Sequence, residues 1–366
     1  MRYGWFLLLS VSILFSVGLL MVFNTTSAEV LNRSLACSTH HALIKQILYA
    51  ILGAVGAFFV WCIGYQSILS LAKPLFYVII FLLILVFIPG IGQQINGARR
   101  WIGFLGISFQ PSEFAKYIIP LYYIHVVSQK KEPLNLLEFL RLLAIIAVPL
   151  GLILVEPDNG TVAIILSSLV VLFVLTRIKW TYWALPLLVF FVVGGLAASQ
   201  MSHVPDRIRI YLHPELDLQG KGHQPHQAKI AAGSGGVFGK GLGESLQKLD
   251  YLPEARSDYI AAIFAEEFGF MGMLALIVLY MFIAYLGLHI AAHAHSEAGL
   301  SLVATFTFLI CIQAFLNLGV VSGLLPSKGT NLPFFSQGGS SLLANCLAVC
   351  LILNVAHHAK KERTYG

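Results

Sequence analysis

The feature that most limits how this chain can fold is an apolar run of about 20 residues that recurs along its length. Ten such runs fall at approximately 5–23, 47–65, 75–92, 112–128, 138–155, 160–177, 180–199, 259–292, 300–320 and 338–358. A helix rises ~1.5 Å per residue, so about 20 apolar residues cross the ~30 Å hydrocarbon core of a bilayer. The sequence therefore predicts an all-α polytopic membrane protein of about ten transmembrane helices, folded as a single integral membrane domain over residues 1–366.

Composition agrees with a lipid environment. Charged residues make up 11% of the chain, against about 25% in a soluble domain, so too few are present to cover a water-facing surface. The first apolar run is longer than the ~7–15-residue core of a signal peptide, which favours a retained helix. The net charge of +6 is explained by cationic loops that anchor a membrane protein beside anionic lipid. No basic patch interleaved with aromatic residues points to a nucleic acid as partner.

The distribution of Lys and Arg predicts the orientation, because these residues favour the cytoplasmic side in short loops. With the N-terminus inside, ten of them lie on the inner side and five in short outer segments. We therefore expect both termini in the cytoplasm and the segments 93–111, 156–159, 200–257 and 322–337 outside. The segment 200–257 is a long, polar extracytoplasmic loop, and loops of this length are typically functional or disordered.

Asp258 stands where this long loop meets the eighth predicted helix, 259–292. At 34 residues that helix would measure ~51 Å, so we expect it to tilt, to kink near Gly269 and Gly272 or to project beyond the lipid. Two interpretations of Asp258 stay open: a helix cap, or a general base kept ionised by the helix N-terminus. Glu266 and Glu267 lie two turns deeper, where at least one should meet a cation or be protonated.

Two pairs of charged residues lie on or beside the same predicted outer face. Arg99 and Arg100 stand beside Trp101, an arrangement that suits bidentate phosphate binding and equally suits anchoring at headgroup depth. Glu113 and Lys116 are three residues apart, so on a helix they share a face and can pair. A structural pair and a functional pair are both consistent with that spacing.

Two further clusters contain polar residues that turn formation alone does not explain. Pro and Gly account for the turn at 156–160 but not for its carboxylates, one of which belongs to Asp158. The second cluster starts with Gln313 and Asn317 and continues into a Gly- and Ser-rich segment, 323–341, with Lys328 and Ser340. Backbone N–H groups in such a segment can bind an anion, but the spacing excludes a Walker-type ATP site.

Together these motifs resemble the SEDS family (shape, elongation, division and sporulation; the FtsW/RodA/SpoVE proteins). They read Asn-Gly-Ala-Arg-Arg-Trp-Ile at 96–102, Gln-Pro-Ser-Glu at 110–113, Glu-Pro-Asp at 156–158, Gln-Lys-Leu at 247–249, Tyr-Leu-Pro-Glu-Ala at 251–255, Ala-Glu-Glu-Phe-Gly at 265–269 and Gly-Leu-Leu-Pro at 323–326. The resemblance covers residues 45–358, with ten spans in matching order, and it is closest to the division members. It departs from the family pattern at Gln337, usually Tyr, and at Thr330-Asn331, usually Leu-Thr.

The resemblance implies an inverting peptidoglycan glycosyltransferase that polymerises lipid II on the outer leaflet of the bacterial inner membrane. Asp258 matches the family's catalytic base, which would take the proton of the attacking sugar hydroxyl. Undecaprenyl pyrophosphate would leave, stabilised by cations. The candidate cations, in falling order of preference, are Arg99, Arg100, Lys116, Lys240 and Lys328. The other candidate substrate contacts are Glu113, Asp158 and Ser340.

The resemblance also implies a partner, a class B penicillin-binding protein that supplies the transpeptidase step, alongside other division or elongation proteins. Two other classes of function compete with the polymerase: a lipid II flippase, which intramembrane acids would suit, and a scaffold without catalysis. The spans lack clear inverted repeats, which weakens the flippase. The cysteines and histidines lack metal-ligand spacing, so no metal site is predicted, although the need for a divalent cation stays open. The donor and acceptor subsites stay open too.

Overall fold

The computed structural model describes residues 2–33, 40–95, 98–104, 107–200, 211, 222–248, 256–326 and 329–365. Over these residues the chain forms a helical bundle with one small sheet. The helices are α1 (Arg2–Arg33), α2 (His41–Ile63), α3 (Tyr65–Ser70), α4 (Ala72–Leu85), α5 (Pro111–Ser128), α6 (Leu136–Val155), α7 (Asn159–Leu175), α8 (Trp180–Gln200), α9 (His223–Ser234), α10 (Ile260–Ala292), α11 (Glu297–Val321) and α12 (Gly339–Tyr365).

Six of the described helices, α1, α2, α6, α10, α11 and α12, are long and apolar enough to cross a membrane. Shorter apolar helices occur at α4, at α7 and over Trp180–Val189 in α8. The protein is therefore a multi-pass membrane protein, and each of the ten predicted spans overlaps a described helix. The full count of ten crossings stays a prediction. The span predicted over 75–92 is wrong at its far end, because α4 stops at Leu85.

A three-stranded antiparallel sheet follows α4 and corrects the prediction of a purely α-helical chain. Its strands are β1 (Gly92–Ile95), β2 (Ala98–Phe104) and β3 (Ile107–Phe109), in the order β1-β2-β3. The register of β1 against β2 shifts between Gln93 and Gln94, as in a bulge, which bends a strand and increases its twist. The sheet presents Arg99 and Arg100 on its central strand.

The helices α11 and α12 form the centre of the bundle. In each, 67% of the most apolar stretch is buried inside the protein, whereas α2 buries only 17% of its own. The exposed apolar side chains of α2 therefore face lipid, which is as apolar as they are. Polar side chains on the buried helices, such as Gln313 and Asn317 on α11, need partners inside the protein because lipid offers none.

α10 contains a sharp kink, one of the three outcomes that its length predicts. Gly269 has φ 64 and ψ −163, a conformation that favours glycine. The residues after the kink donate their main-chain N–H groups to the segment that follows α9: Phe270 to Gly236 (2.9 Å) and Met271 to Val237 (3.1 Å). These bonds replace helical hydrogen bonds lost at the break. These bonds attach the segment after α9 to the second half of α10, directly beyond the kink.

Candidate active site

Asp258 is half-buried in a turn, 256–259, that precedes α10. The N-cap position of α10 is occupied by Tyr259, which makes no side-chain capping hydrogen bond. Asp258 is one residue ahead of the position from which a side chain normally caps a helix.

A side chain from α11 holds the main chain at Asp258. Nδ2 of Asn317 donates one hydrogen bond to the main-chain oxygen of Asp258 (2.8 Å) and a second to that of Thr330 (2.6 Å). The main-chain N–H of Gln337 donates to the main-chain oxygen of Arg256 (3.0 Å). The turn that carries Asp258 is thus fixed both to α11 and to the segment that connects α11 with α12.

The same connecting segment passes next to the carboxylate at Gly329. A Cβ atom at this position would lie 3.0 Å from Oδ2 of Asp258, closer than most real Cβ contacts. A glycine permits this approach because it has no side chain. The main chain of Gly329 therefore forms one wall beside the Asp258 carboxylate.

Beyond the exposed Gly329, the segment 330–336 lies largely inside the protein although it is neither helix nor strand. Its apolar side chains Leu332, Phe334 and Phe335 are buried. Side chains from three helices donate hydrogen bonds to its carbonyl oxygens: Gln313 to Asn331 (2.9 Å), Tyr280 to Pro333 (2.6 Å) and Gln46 to Ser336 (3.2 Å). In membrane proteins irregular backbone is tolerated only where it is buried in protein or lines a cavity. Such a segment beside an aspartate is typical of a functional site.

Lys116 links α5 to this segment through α11. Its Nζ lies 2.6 Å from Oε2 of Glu113 and donates to Oε1 of Gln313 at 2.7 Å, and only 1% of the residue is exposed. The predicted pairing of Glu113 with Lys116 is confirmed. Because Glu113 balances its charge, Lys116 is a weaker candidate for binding a pyrophosphate than the sequence suggested.

Arg100 uses its guanidinium group to hold the turn between α6 and α7. Its Nε donates to the main-chain oxygen of Glu156 (2.9 Å) and its Nη2 to that of Pro157 (2.6 Å). These two bonds fix β2 against the turn. They also use guanidinium N–H donors that a bound phosphate would need.

Asp158 caps the N-terminus of α7. It accepts hydrogen bonds from the main-chain N–H of Thr161 (3.2 Å), the hydroxyl of Thr161 (2.9 Å) and the hydroxyl of Ser112 (3.1 Å). The cap accounts for an aspartate at this position without a substrate contact. The turn also approaches the connecting segment, since a Cβ at Gly160 would lie 3.5 Å from Cγ2 of Thr330.

Glu156 is the second carboxylate of this turn, and only 1% of it is exposed. Neither of its carboxyl oxygens has a hydrogen-bond partner among the described residues. Burial, and after it the nearby Asp158, raises the pKa of Glu156 to about 8, while Arg100 opposes that change. The side chain is therefore largely protonated at neutral pH. A neutral carboxyl group costs much less free energy to bury than an unpaired carboxylate.

The two acids of α10 both meet lysines, whereas the sequence predicted a cation or a proton for at least one of them. Oε1 of Glu266 lies 2.5 Å from Nζ of Lys240, and Oε2 accepts from the hydroxyl of Ser245 at 2.5 Å. Oε1 of Glu267 lies 2.9 Å from Nζ of Lys248. The charge of Lys240, a candidate for the leaving group, is therefore already balanced.

Three predicted residues remain. Arg99 is exposed on β2 and makes no ion pair with another described residue. Ser340 accepts a hydrogen bond from the main-chain N–H of Gln110 (2.9 Å) and donates to the main-chain oxygen of Ser108 (3.4 Å), so it joins the start of α12 to the start of α5. Lys328 lies outside the described residues.

No group of three or more His, Cys, Asp or Glu side chains in the described ranges could hold a metal ion.

Residues 5–361 match the model of the FtsW/RodA/SpoVE family of cell cycle proteins. The chain belongs to this family. It is 37% identical to a probable peptidoglycan glycosyltransferase FtsW of Trichlorobacter lovleyi, over 97% of this chain and 93% of the relative. It is 35% identical to the protein of that name from Legionella pneumophila, over 93% and 87%. A chain in a solved peptidoglycan synthase complex that coordinates polymerization and crosslinking matches with a TM-score of 0.79, at 25% identity over 96% and 97%.

The two departures from the family pattern fall where main-chain atoms make the contacts. Gln337 reaches the Asp258 turn through its main-chain N–H, which a tyrosine also has. Thr330 and Asn331 accept hydrogen bonds from Asn317 and Gln313 through their carbonyl oxygens. The substitutions therefore leave the hydrogen bonds around Asp258 available in this FtsW/RodA/SpoVE protein.

Proposed function

We propose that this chain is a peptidoglycan glycosyltransferase of the bacterial inner membrane that polymerises lipid II on the outer leaflet during cell division. The observation that carries the proposal is the placement of Asp258 between Asn317 of α11 and Gly329, which begins an irregular segment that is buried from Thr330 onward. Family membership and the names of the relatives support the same activity. The relatives named FtsW favour the division setting over elongation.

In the proposed reaction Asp258 acts as a general base. Its carboxylate takes the proton from a sugar hydroxyl, and the hydroxyl oxygen attacks the anomeric carbon of a second lipid-linked sugar. A new glycosidic C–O bond forms, while the bond from that carbon to the pyrophosphate oxygen breaks. Undecaprenyl pyrophosphate leaves with the bonding electrons. A single displacement of this kind inverts the anomeric configuration.

The leaving pyrophosphate needs cationic stabilisation, and the contacts of the basic residues change their order as candidates. Lys116 and Lys240 are paired with acids, and Arg100 already holds the turn at 156–157. Arg99, exposed on β2, therefore becomes the first candidate for this role, together with Lys328. A guanidinium group binds phosphate oxygens bidentately.

We further propose that the termini are cytoplasmic and that a class B penicillin-binding protein is the partner. The basic-residue distribution supports the first statement. The match to a chain of a peptidoglycan synthase complex supports the second. In a variant without native cysteines, a cysteine introduced at Glu362 should resist a membrane-impermeant thiol reagent, and one at Gly220 should react. The reverse pattern would contradict the orientation.

The decisive experiment is polymerisation of lipid II by purified protein in detergent, with and without the cognate penicillin-binding protein. The Asp258→Asn variant keeps the size of the side chain and one acceptor oxygen but removes the base. We expect it to fold and to bind its partner, yet to polymerise at a few per cent of the wild-type rate or less, since general-base help contributes about 10²–10⁴. Wild-type rates in this variant would contradict the base assignment. Transbilayer movement of lipid II by the wild type without any glycan product would favour a flippase.

A further inference from the structure

We infer that Asn317 is a positioning residue for Asp258. This inference rests on the proposed function, in which Asp258 is the general base. Asn317 lies on α11, a helix of the bundle centre, four residues before the helix ends at Val321, and 1% of it is exposed. It contacts the turn before α10 and the segment after α11 at once. These two stretches of chain are separated by two helices in sequence, yet one side chain holds them together beside the Asp258 carboxylate.

The orientation of the Asn317 carboxamide is fixed by what it meets. Both neighbours are carbonyl oxygens, of Asp258 at 2.8 Å and of Thr330 at 2.6 Å. Only the NH₂ end of an amide can donate to two acceptors. One side chain therefore sets the distance between the base and the segment that contains Gly329.

The other end of the carboxamide supports a role beyond packing. Oδ1 of Asn317 is buried and has no hydrogen-bond partner among the described residues. A buried acceptor without a partner destabilises a fold. An apolar residue of similar size would avoid that cost but would lose both N–H donors. The side chain thus supplies a connection at the expense of stability, which is typical of functional sites.

The reaction is sensitive to this connection because a general base must lie within hydrogen-bond reach of the proton it takes. A displacement of about 1 Å at a reacting group can lower a rate about 10²-fold. Loss of the Asn317 donors frees the main chain of Asp258 from α11 and separates it from Thr330. Substrate binding through other residues is left in place, so the effect should fall on kcat rather than on KM.

The experiment is a double-mutant cycle of Asn317→Leu with Asp258→Asn, followed as lipid II polymerisation by the full chain. We expect Asn317→Leu alone to lower kcat about 10- to 100-fold with KM changed less than about 3-fold. In the Asp258→Asn background the same substitution should have little further effect, because a residue that acts through the base has nothing left to position. Asn317→Gln, which keeps the carboxamide, should recover part of the rate.

Asn354→Leu is the matched control. Asn354 is also a buried amide, 2% exposed, and it bridges main-chain atoms of Trp61 (3.2 Å) and Tyr65 (2.9 Å), far along α12 from the site. The Asn354→Leu variant should lose about as much thermal stability as Asn317→Leu but keep wild-type kcat. If Asn317→Leu does not yield folded protein, Asn317→Ala removes the same donors without added bulk.

The possible failures are separable. Wild-type kcat in folded Asn317→Leu or Asn317→Ala would overturn the inference while leaving the proposed function intact. Fully additive losses in the cycle would do the same, since they indicate a general structural effect. Wild-type activity of Asp258→Asn would instead overturn the base assignment on which the inference rests.

Discussion

Nζ of Lys248 lies 2.9 Å from Oε1 of Glu267, and both side chains are almost completely buried. Asn24 of α1 completes the group, since it donates to Oε2 of Glu267 (2.6 Å) and accepts from Lys248 (2.9 Å). The pair therefore joins the end of the long loop, the first half of α10 and α1. It holds the chain shortly before Asp258 against the helix that follows it.

We predict that breaking this pair destabilises the protein strongly. Lys248→Met or Glu267→Gln should each cost about 3–5 kcal/mol, because the remaining buried group loses its partner. The double variant should cost clearly less than the sum. Thermal unfolding in detergent measures the effect. The control is the solvent-accessible pair Lys130–Glu138 at 2.6 Å, where Lys130→Met should have a much smaller effect because water screens the pair.

The approach of Gly329 to Asp258 gives a second prediction. Gly329→Ala places a methyl group 3.0 Å from Oδ2 of Asp258, so the carboxylate or the segment must shift by a few tenths of an ångström. We expect kcat for polymerisation to fall about 10-fold or more, since catalytic geometry is sensitive to such displacements. At Gly151 nothing lies within 4 Å of an added Cβ, so Gly151→Ala should keep wild-type activity. Equal activity of the two variants would contradict a tight contact at Gly329.

Much of the fold was predictable because apolar length and scarce charge are local properties of the sequence. The α10 kink was among the predicted outcomes, since Gly269 marks the place where a helix of that length can break. The small sheet was missed because short strands around a bulge carry little periodicity. The end of α4 was missed because Val86, Phe87 and Ile88 continue the apolar run, although Pro89-Gly90 directly after them marks a turn.

The site was predictable only as far as individual residues, not as contacts. Asp258 carries a motif that can be read in sequence, and Glu113 and Lys116 share a helix face by spacing alone. The pairing of Lys240 with Glu266 joins residues that are distant along the chain, which no local pattern contains. Asn317 was visible as a polar residue in an apolar helix, but its two acceptors depend on how α11 meets the turns beside it.

Glu156 gives a prediction on pH and stability. Its pKa is raised to about 8 in the folded protein, above the ~4.3 of an unfolded chain. Between these values the folded state holds a proton that the unfolded state has lost, so stability is greatest below the unfolded pKa and falls as the pH rises through the folded one. The slope approaches ~1.4 kcal/mol per pH unit at most.

Glu156→Gln removes this titration while keeping a neutral side chain of the same size. Thermal unfolding at pH 5.5, 7 and 8.5 should therefore show wild-type protein losing stability relative to the variant as the pH increases. A constant difference across this range would contradict a protonated Glu156. Exposed Glu132 supplies the control, since Glu132→Gln should leave the pH dependence unchanged.

Arg99 and Arg100 are adjacent in sequence, but their different contacts predict different losses. Arg100 donates to the carbonyl oxygens of Glu156 and Pro157, so Arg100→Ala should lower thermal stability by about 1–3 kcal/mol as those bonds are lost. Arg99 is exposed, so Arg99→Ala should leave stability within about 0.5 kcal/mol.

In the polymerisation assay Arg99→Ala should be the more damaging of the two variants if Arg99 binds the leaving pyrophosphate. Arg99→Ala should then lower kcat/KM by about 10-fold or more, and Arg99→Lys should restore only part of it, because an ammonium group does not reproduce the guanidinium fork. The loss should also shrink at high salt, which screens an exposed charge. Wild-type kcat/KM in Arg99→Ala would assign Arg99 to interfacial anchoring, and the search for the pyrophosphate contact would move to Lys328.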